Sequence, residues 1–199
     1  MHHVISRGNG KQKIFLDDHD RMVFMEKLVR TITRESWICH AYCLLENHYH
    51  LLVELTEPNL HKGMQFLNGS YCQWFNFKHN RVGHTMQGRY KSPMPKNDGH
   101  LLEIVRYVVL NPVASGLTGE PEDWRWSSYR ATAGLCPCPS FLRIDFVISL
   151  FETNGCHGRE GYIQWVEDGK ASASVVPPGG TRQLDDLPWN KSDKAIRNK

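Results

Sequence analysis

Two kinds of side chain in this 199-residue chain have types and spacings suited to chemistry. His48 and His50 stand one residue apart, and Asn111 follows Tyr107 by four. From Tyr49 onward the first stretch reads as a β-strand, with Tyr49, Leu51, Val53 and Leu55 forming an apolar row at period two. The opposite face then carries His48, His50 and Leu52. Residues i and i+2 of a strand project side by side, so the two imidazoles can share one metal ion or one oxyanion. A pair of ordinary histidines on a half-exposed strand has the same pattern. What separates the two is a further ligand and a nucleophile.

Tyr107 and Asn111 can supply both. Residues 101–111 read as a helix, buried along Leu101, Val105 and Val108, with Glu103, Tyr107 and Asn111 along another side. Pro112 is expected to end it, because the residue before proline is pushed out of the helical region. If this helix crosses the sheet face that carries the histidines, three neutral ligands and a phenol meet. A divalent ion there acts as a Lewis acid on a phosphate oxygen, and the phenol attacks phosphorus as a covalent nucleophile. A hydrolytic alternative needs a positioned water and a general base, for which only Glu54 and Glu103 are at hand.

The remaining elements must place these groups. His3–Ser6 is a short first strand, followed by the basic, glycine-rich turn Arg7-Gly8-Asn9-Gly10-Lys11. Its amides suit a phosphate, although a plain turn explains them equally. Asp17 or Asp18 caps a helix to about Arg34 with Met22, Met25, Leu28, Val29 and Ile32 as its stripe. Residues 37–45 form the strand before the histidines. Asn59 caps a second helix buried along Leu60, Met64, Leu67, Tyr71 and Trp74 or Phe75. Tyr71 belongs to that core stripe and Tyr49 to the strand's apolar row. Trp124 and Trp126 with Ser127-Ser128-Tyr129 form a packing clamp. The order β-α-β-β-α-(β)-α describes an α+β, ferredoxin-like antiparallel sheet with helices on one face.

Net charge is only +3, from 24 basic and 21 acidic residues, but the distribution is uneven. No acid lies between Glu57 and Asp98, where Lys62, Lys78, Arg81, Arg89, Lys91 and Lys96 fall, interleaved over residues 76–96 with Phe77, His84 and Tyr90. Basic groups grip phosphates while aromatic faces stack on unpaired bases. A solvated loop anchored by a few rings is the plainer alternative. Pro93 and Pro95 allow at most an edge strand there. The six cysteines are scattered rather than paired. Cys39 and Cys43, expected on one buried face with Ala41 and Leu45, make with the histidines no standard zinc spacing. No run of about 18 apolar residues predicts a membrane span and no secretory pattern opens the chain, so a cytoplasmic location is expected.

His48-Tyr49-His50 has the pattern of the HUH nucleases, two histidines around a bulky apolar residue. Together with Arg7-Gly8-Asn9, Gly83-His84, Gln87-Gly88-Arg89-Tyr90-Lys91, Tyr107, Leu110-Asn111-Pro112 and Trp124-Arg125-Trp126-Ser127-Ser128-Tyr129, it resembles the REP-associated tyrosine transposases. These are bacterial relatives of the single-tyrosine insertion-sequence transposases. The resemblance spans 1–140 as a transposase domain. Residues 141–170, with Val147, Leu150, Tyr162 and Trp165 as contacts, read as a helical extension, and 171–199 as a disordered tail. It implies action on single-stranded hairpin DNA, cleaved through a 5′-phosphotyrosine and transferred. It also implies Mg²⁺ or Mn²⁺ held by His48, His50 and Asn111, with Tyr107 as nucleophile. DNA contacts are expected from Arg7, Asn9, Lys78, Arg81, His84, Gln87, Arg89, Tyr90 and Lys91. Either a monomer or a homodimer fits. Ala114 stands where many relatives have arginine, and Pro95 interrupts a usual strand. A domesticated DNA-binding protein without cleavage and a water-using phosphodiesterase are the alternatives.

Overall fold

The computed structural model describes residues 1–152 and 158–173. Its sheet is built from β1 (His2–Arg7), β2 (Trp37–Leu44) and β3 (His48–Leu55), in the order β1-β3-β2 and antiparallel throughout. β3 is therefore the middle strand, hydrogen-bonded along both edges. Beyond β1 the segment 85–93 runs as an irregular fourth rung. Ile5 and Lys91 exchange two backbone bonds of 2.9 Å, and the Pro93 carbonyl accepts from His3 N–H. Proline is tolerated there because β1 uses its oxygen, not the N–H it lacks.

Helix α1 (Asp18–Glu35) opens with a reciprocal capping box between Asp17 and Asp20 and closes at Ser36 in the left-handed region. Its buried stripe is Arg21, Phe24, Leu28, Thr31, Ile32 and Glu35, which keeps Leu28 and Ile32 of the expected row but turns it toward Phe24, leaving Met22 half exposed and Met25 at the margin of the core. The sequence around Met22, Met25 and Val29 offers a second apolar row at helical spacing; the large Phe24 ring takes the core position instead, wedged against Phe15, Tyr49 and Tyr71.

Helix α2 (Leu60–Lys78) buries Leu60, Met64, Leu67, Tyr71 and Phe75, and runs past the expected end. Asn59 precedes it but makes no side-chain cap. It accepts instead from Trp37 Nε1 at 2.8 Å and donates to the Glu35 carbonyl at 2.9 Å.

Helix α3 (Asp98–Ala114) starts at Asn97, whose side chain accepts from His100 N–H, and it passes through Pro112 rather than stopping before it. Proline in the last turn costs the single N–H that would have reached Val108. The carbonyls of Asn111, Pro112 and Val113 still find Ser115, Leu117 and Gly116 N–H groups at 2.9 Å. The stop comes at Gly116, with φ +67. Among the described residues three further helices follow: α4 (Tyr129–Thr132), α5 (Asp145–Ser149) and α6 (Gly158–Ala173).

Helices cover both faces of the sheet, which corrects the one-faced arrangement expected. Val4, Tyr49, Leu51 and Val53 pack with α1 and α2, whereas Ala41, Cys43 and Leu52 pack beneath α3, itself backed by Tyr162 and Val166 of α6. The second face is too apolar to leave in water. Cys39 does not share it with Cys43. A bulge between Cys39 and Ala41 switches the alternation, so Cys39 joins Tyr42 and Leu44 on the α1/α2 side. The tryptophan clamp holds: Trp124 Nε1 donates to the Leu44 carbonyl at 3.0 Å and Trp126 Nε1 to Asp18 at 2.9 Å. In the extension, Val147 and Tyr162 are buried and Arg106 lies over Trp165, 4.1 Å from the ring centre. The expected tail lies outside the described residues from 174 on, as does Cys156.

Gly63 shows how tightly the first core closes. A Cβ there would come within 2.1 Å of the Trp37 indole, which its bond to Asn59 holds in place. Gly63→Ala gains about 1 kcal/mol of helix propensity and is nevertheless expected to lower stability by roughly 1–3 kcal/mol through overpacking. Urea unfolding of the two proteins checks the sign.

Candidate active site

The middle position of β3 gives His48 and His50 their environment. Both are buried, their ring centres are 5.0 Å apart, and both lie on the face that α3 covers. From α3 the Tyr107 ring stands nearly perpendicular to His50 at 5.3 Å, and Asn111, one turn later, is buried and hydrogen-bonds His48. The four residues singled out as nucleophile and ligands are thus brought together. Arg7 joins them, directly opposite His48 in the β1–β3 register and close enough for the charge on its guanidinium to interact with Tyr107.

A third histidine completes the group. His3 is fully buried, its Nε2 lies 3.0 Å from His50 Nδ1, its ring stacks on His50 at 5.2 Å, and it meets Tyr107 edge-on at 6.0 Å. Period two along β1 places His3, Ile5 and Arg7 on one face, which is the available sequence signal. What the sequence did not disclose is that β1 lies beside β3, setting His3 diagonal to His50.

The hydrogen bonds define which atoms face the centre. His3 occupies His50 Nδ1, and His50 Nε2 is buried with no protein partner. His48 Nδ1 meets Asn47 Oδ1 at 2.7 Å, and the Asn47 amide is oriented by its Nδ2 bond to the Lys11 carbonyl. Asn111 is oriented likewise by donating Nδ2 to the Tyr107 carbonyl at 3.1 Å, so it offers its oxygen. A neutral imidazole has one N–H and cannot donate to both amide oxygens. One ring lone pair of His48 therefore faces an amide oxygen, an arrangement that a cation between them satisfies. Among the described residues no three His, Cys, Asp or Glu side chains form a metal cluster, and Asn111 is the neutral side chain placed beside His48 that could add a ligand to the histidine pair. The same observation leaves no zinc set with Cys39 and Cys43, both buried free thiols on opposite faces.

Burial keeps the imidazoles neutral. Desolvation, with Arg7 adding to it, takes His48 down to about 4, and desolvation takes His3 down to about 3. His50 is likewise pushed well down by burial and by its two histidine neighbours. Neutral rings are the form that binds metal.

The expected DNA contacts divide into groups. Gln87, Arg89 and Lys91 are exposed along the edge segment beside β1, with Tyr90 half-buried among them, and Asn9, His84 and Arg89 line one pocket. Lys78 is elsewhere engaged: it bridges Asp17 and Asp20 at 2.8 and 2.7 Å, tying the end of α2 to the start of α1. Arg81 pairs with Gln12. The two acids considered as a general base are also engaged, Glu54 with His40 at 3.0 Å and Glu103 with Arg106 at 2.8 Å.

These histidines make stability depend on pH with a definite sign. Their folded-state pKa values lie below the unfolded value near 6.5, so the unfolded chain binds more protons in the window between. In metal-free buffer Tm is expected to be flat above pH 7 and to fall from about 6.5 down to about 4, His48 contributing at most about 3 kcal/mol. His48→Gln should flatten that slope in thermal melts recorded across the same range.

Comparison with known proteins places the chain. Among curated proteins nothing matches. A solved structure of a REP-associated tyrosine transposase bound to a REP hairpin is similar with a TM-score of 0.55, over 72% of this chain and 85% of that one, at 14% identity. At such identity the likeness concerns the fold. Residues 1–109 match the family described as IS200-like transposases, a span that takes in His48, His50 and Tyr107 and stops short of Asn111. That span exceeds half of the 199 residues, and the chain belongs to the IS200-like transposase family.

Proposed function

We propose that this transposase nicks single-stranded hairpin DNA through Tyr107 and transfers the cut strand. The observation that carries the reading is the buried, unpartnered Nε2 of His50 beside the Tyr107 ring. His48, His50 and the Asn111 oxygen would hold a divalent ion, and such an ion supplies Lewis acidity to a phosphate oxygen. With His3 Nε2 accepting from His50 Nδ1–H, His50 Nε2 would carry the lone pair a metal needs, the role outer-shell partners play at metal-bound histidines. Imidazole ligands suit later transition metals; Mg²⁺ or Mn²⁺ follows from the family resemblance, and Mn²⁺ is the natural first probe.

The Tyr107 oxygen attacks phosphorus and the bond from phosphorus to the 3′-oxygen breaks. The phenol proton is lost to solvent, and the departing oxygen takes one up as a free 3′-hydroxyl. The Arg7 guanidinium next to Tyr107 stabilises negative charge on the phenol oxygen as the proton leaves. The 5′-phosphotyrosine retains the phosphodiester's energy, so a second 3′-hydroxyl can reverse the step on another strand. The engagement of Glu54 and Glu103 disfavours a water-using phosphodiesterase, and the assembled Tyr107 site disfavours a protein that only binds.

Incubated with hairpin-forming single-stranded DNA and Mn²⁺, the protein is expected to give a protein–DNA adduct on a denaturing gel, abolished by chelator. Tyr107→Phe should lower adduct and nicking together by at least about 1,000-fold, with binding retained. Nicking by Tyr107→Phe would instead indicate water as nucleophile, and unchanged behaviour with no adduct in either protein would indicate binding alone.

Affinity for single-stranded DNA should fall steeply with salt. Arg89→Ala and Lys91→Ala are each expected to reduce the slope of log K against log salt by about 0.7. Lys78→Ala should leave that slope unchanged and lower Tm, because its ion pairs are internal. Titrations at several salt concentrations distinguish the two classes.

A further inference from the structure

Asn47 stands in the turn between β2 and β3, immediately before the first histidine and outside the ligand set. Both ends of its side chain are engaged. Nδ2 donates to the Lys11 carbonyl at 3.1 Å, and Oδ1 lies 2.7 Å from His48 Nδ1. A carbonyl oxygen can only accept, so the end of the amide that faces Lys11 carries the protons and the end that faces His48 is the oxygen. That oxygen also only accepts, and the proton between it and the ring therefore belongs to His48 Nδ1. At His50 the corresponding partner is another imidazole, and either ring can donate.

The backbone is bent to bring the Lys11 carbonyl into place. Gly10 and Lys11 both lie in the left-handed region, at φ +56 and +62. Glycine adopts it freely; for lysine it is strained and persists only where the surroundings hold it. What holds it is the turn before His48. Gly8 N–H donates to the Asn47 carbonyl at 2.8 Å, and Ile14 and Phe15 N–H donate to the Glu46 carbonyl at 2.8 and 3.1 Å. Lys13 adds an ion pair with Glu46 at 2.8 Å. Segment 8–15 thus grips residues 46 and 47 and aims one carbonyl at one amide.

The consequence reaches the centre through the other ring nitrogen. With its proton on Nδ1, His48 carries its lone pair on Nε2, the nitrogen left for Asn111. Asn111 spends Nδ2 on the Tyr107 carbonyl and turns its oxygen the same way. A proton on Nε2 would instead be donated to that oxygen, and no lone pair would remain on the side of the centre.

We propose that Asn47 is a positioning residue for the histidine centre: tied to the Lys11 carbonyl, it holds the His48 proton on Nδ1 and so presents Nε2 as the ligating nitrogen. What Nε2 is presented to rests on the nuclease reading above; where the proton sits does not.

Long-range ¹H–¹⁵N spectra of the metal-free, ¹⁵N-labelled full chain at neutral pH read the proton's location. Wild-type His48 is expected as the Nδ1–H tautomer. In Asn47→Ala the proton should move to Nε2, where the Asn111 oxygen accepts it. Asn47→Asp should restore Nδ1–H, because both carboxylate oxygens accept and no orienting carbonyl is required. Lys11→Gly keeps the carbonyl and relieves the backbone, and should match the wild type. Mn²⁺ affinity, followed by the electron paramagnetic resonance signal of the free ion, should fall at least about tenfold in Asn47→Ala, the lower end for loss of an outer-shell partner. An Nε2–H tautomer in the wild type, retention of Nδ1–H in Asn47→Ala, or wild-type Mn²⁺ affinity in that variant would each overturn the proposal. If the wild type binds no Mn²⁺ but carries an Nδ1–H that Asn47→Ala loses, the ion of the nuclease reading falls and the hold of Asn47 on His48 stands.

Discussion

The pairing of β3 along both of its edges is the constraint on which the rest of the molecule depends. A central strand has no solvent-facing backbone edge, and its alternation sends Tyr49, Leu51 and Val53 into one layer and His48, His50 and Leu52 into the other. Whatever covers that second layer must be apolar enough to meet Leu52 and polar enough to meet two imidazoles. Helix α3 does both in successive turns. Leu101, Ile104, Val105, Val108 and Val109 fill the cluster around Leu52, and Tyr107 and Asn111 come down at the histidine end.

Confinement between sheet and helix has an electrostatic consequence. Three imidazoles within stacking distance of one another and near a guanidinium cannot all carry charge, and burial leaves them neutral. Of their ring nitrogens, His50 Nε2 is left without a protein partner, and His48 is flanked by the side chains of Asn47 and Asn111. Neutral imidazoles and amide oxygens make the centre polar without charge, while Arg7 at its border brings a positive charge close to Tyr107. On the reading proposed above, a divalent ion at the histidines and a phosphate at Arg7 would occupy the two parts of this centre jointly.

β1 links this centre to the opposite side of the molecule. His3, Ile5 and Arg7 face α3, and Val4 and Ser6 face α2. Just beyond Arg7 the chain turns tightly: a Cβ at Gly8 would come within 2.1 Å of the Gln12 carbonyl. That turn carries Asn9 over to the pocket it lines with His84 and Arg89. The irregular segment 85–93 closes the outer edge of β1, so the exposed basic residues Arg89 and Lys91 belong to the sheet's rim rather than to a detached loop.

Local pattern was enough to read β3, the core row of α2, the cap of α1 to within one residue, and the Tyr107–Asn111 pair on one helix, because each depends on a spacing within a single element. It misled where two apolar rows competed, as with Met22 against Phe24 in α1. It misled again where a single residue's preference was outweighed, as with Pro112, whose lost bond is one among a helix's worth of packing. The bulge after Cys39 could not be seen at all, since it exists only in the pairing with β3. The sequence by itself determined which side chains could bind a metal or attack a phosphate, since covalent chemistry and the periods of strand and helix are local properties. Only the tertiary structure decided that His3 and Arg7 join them, that α3 covers the histidine face, and that Lys78 is tied to Asp17 and Asp20. Each of those depends on which strand lies beside which and where a distant helix packs, and long-range burial sets that.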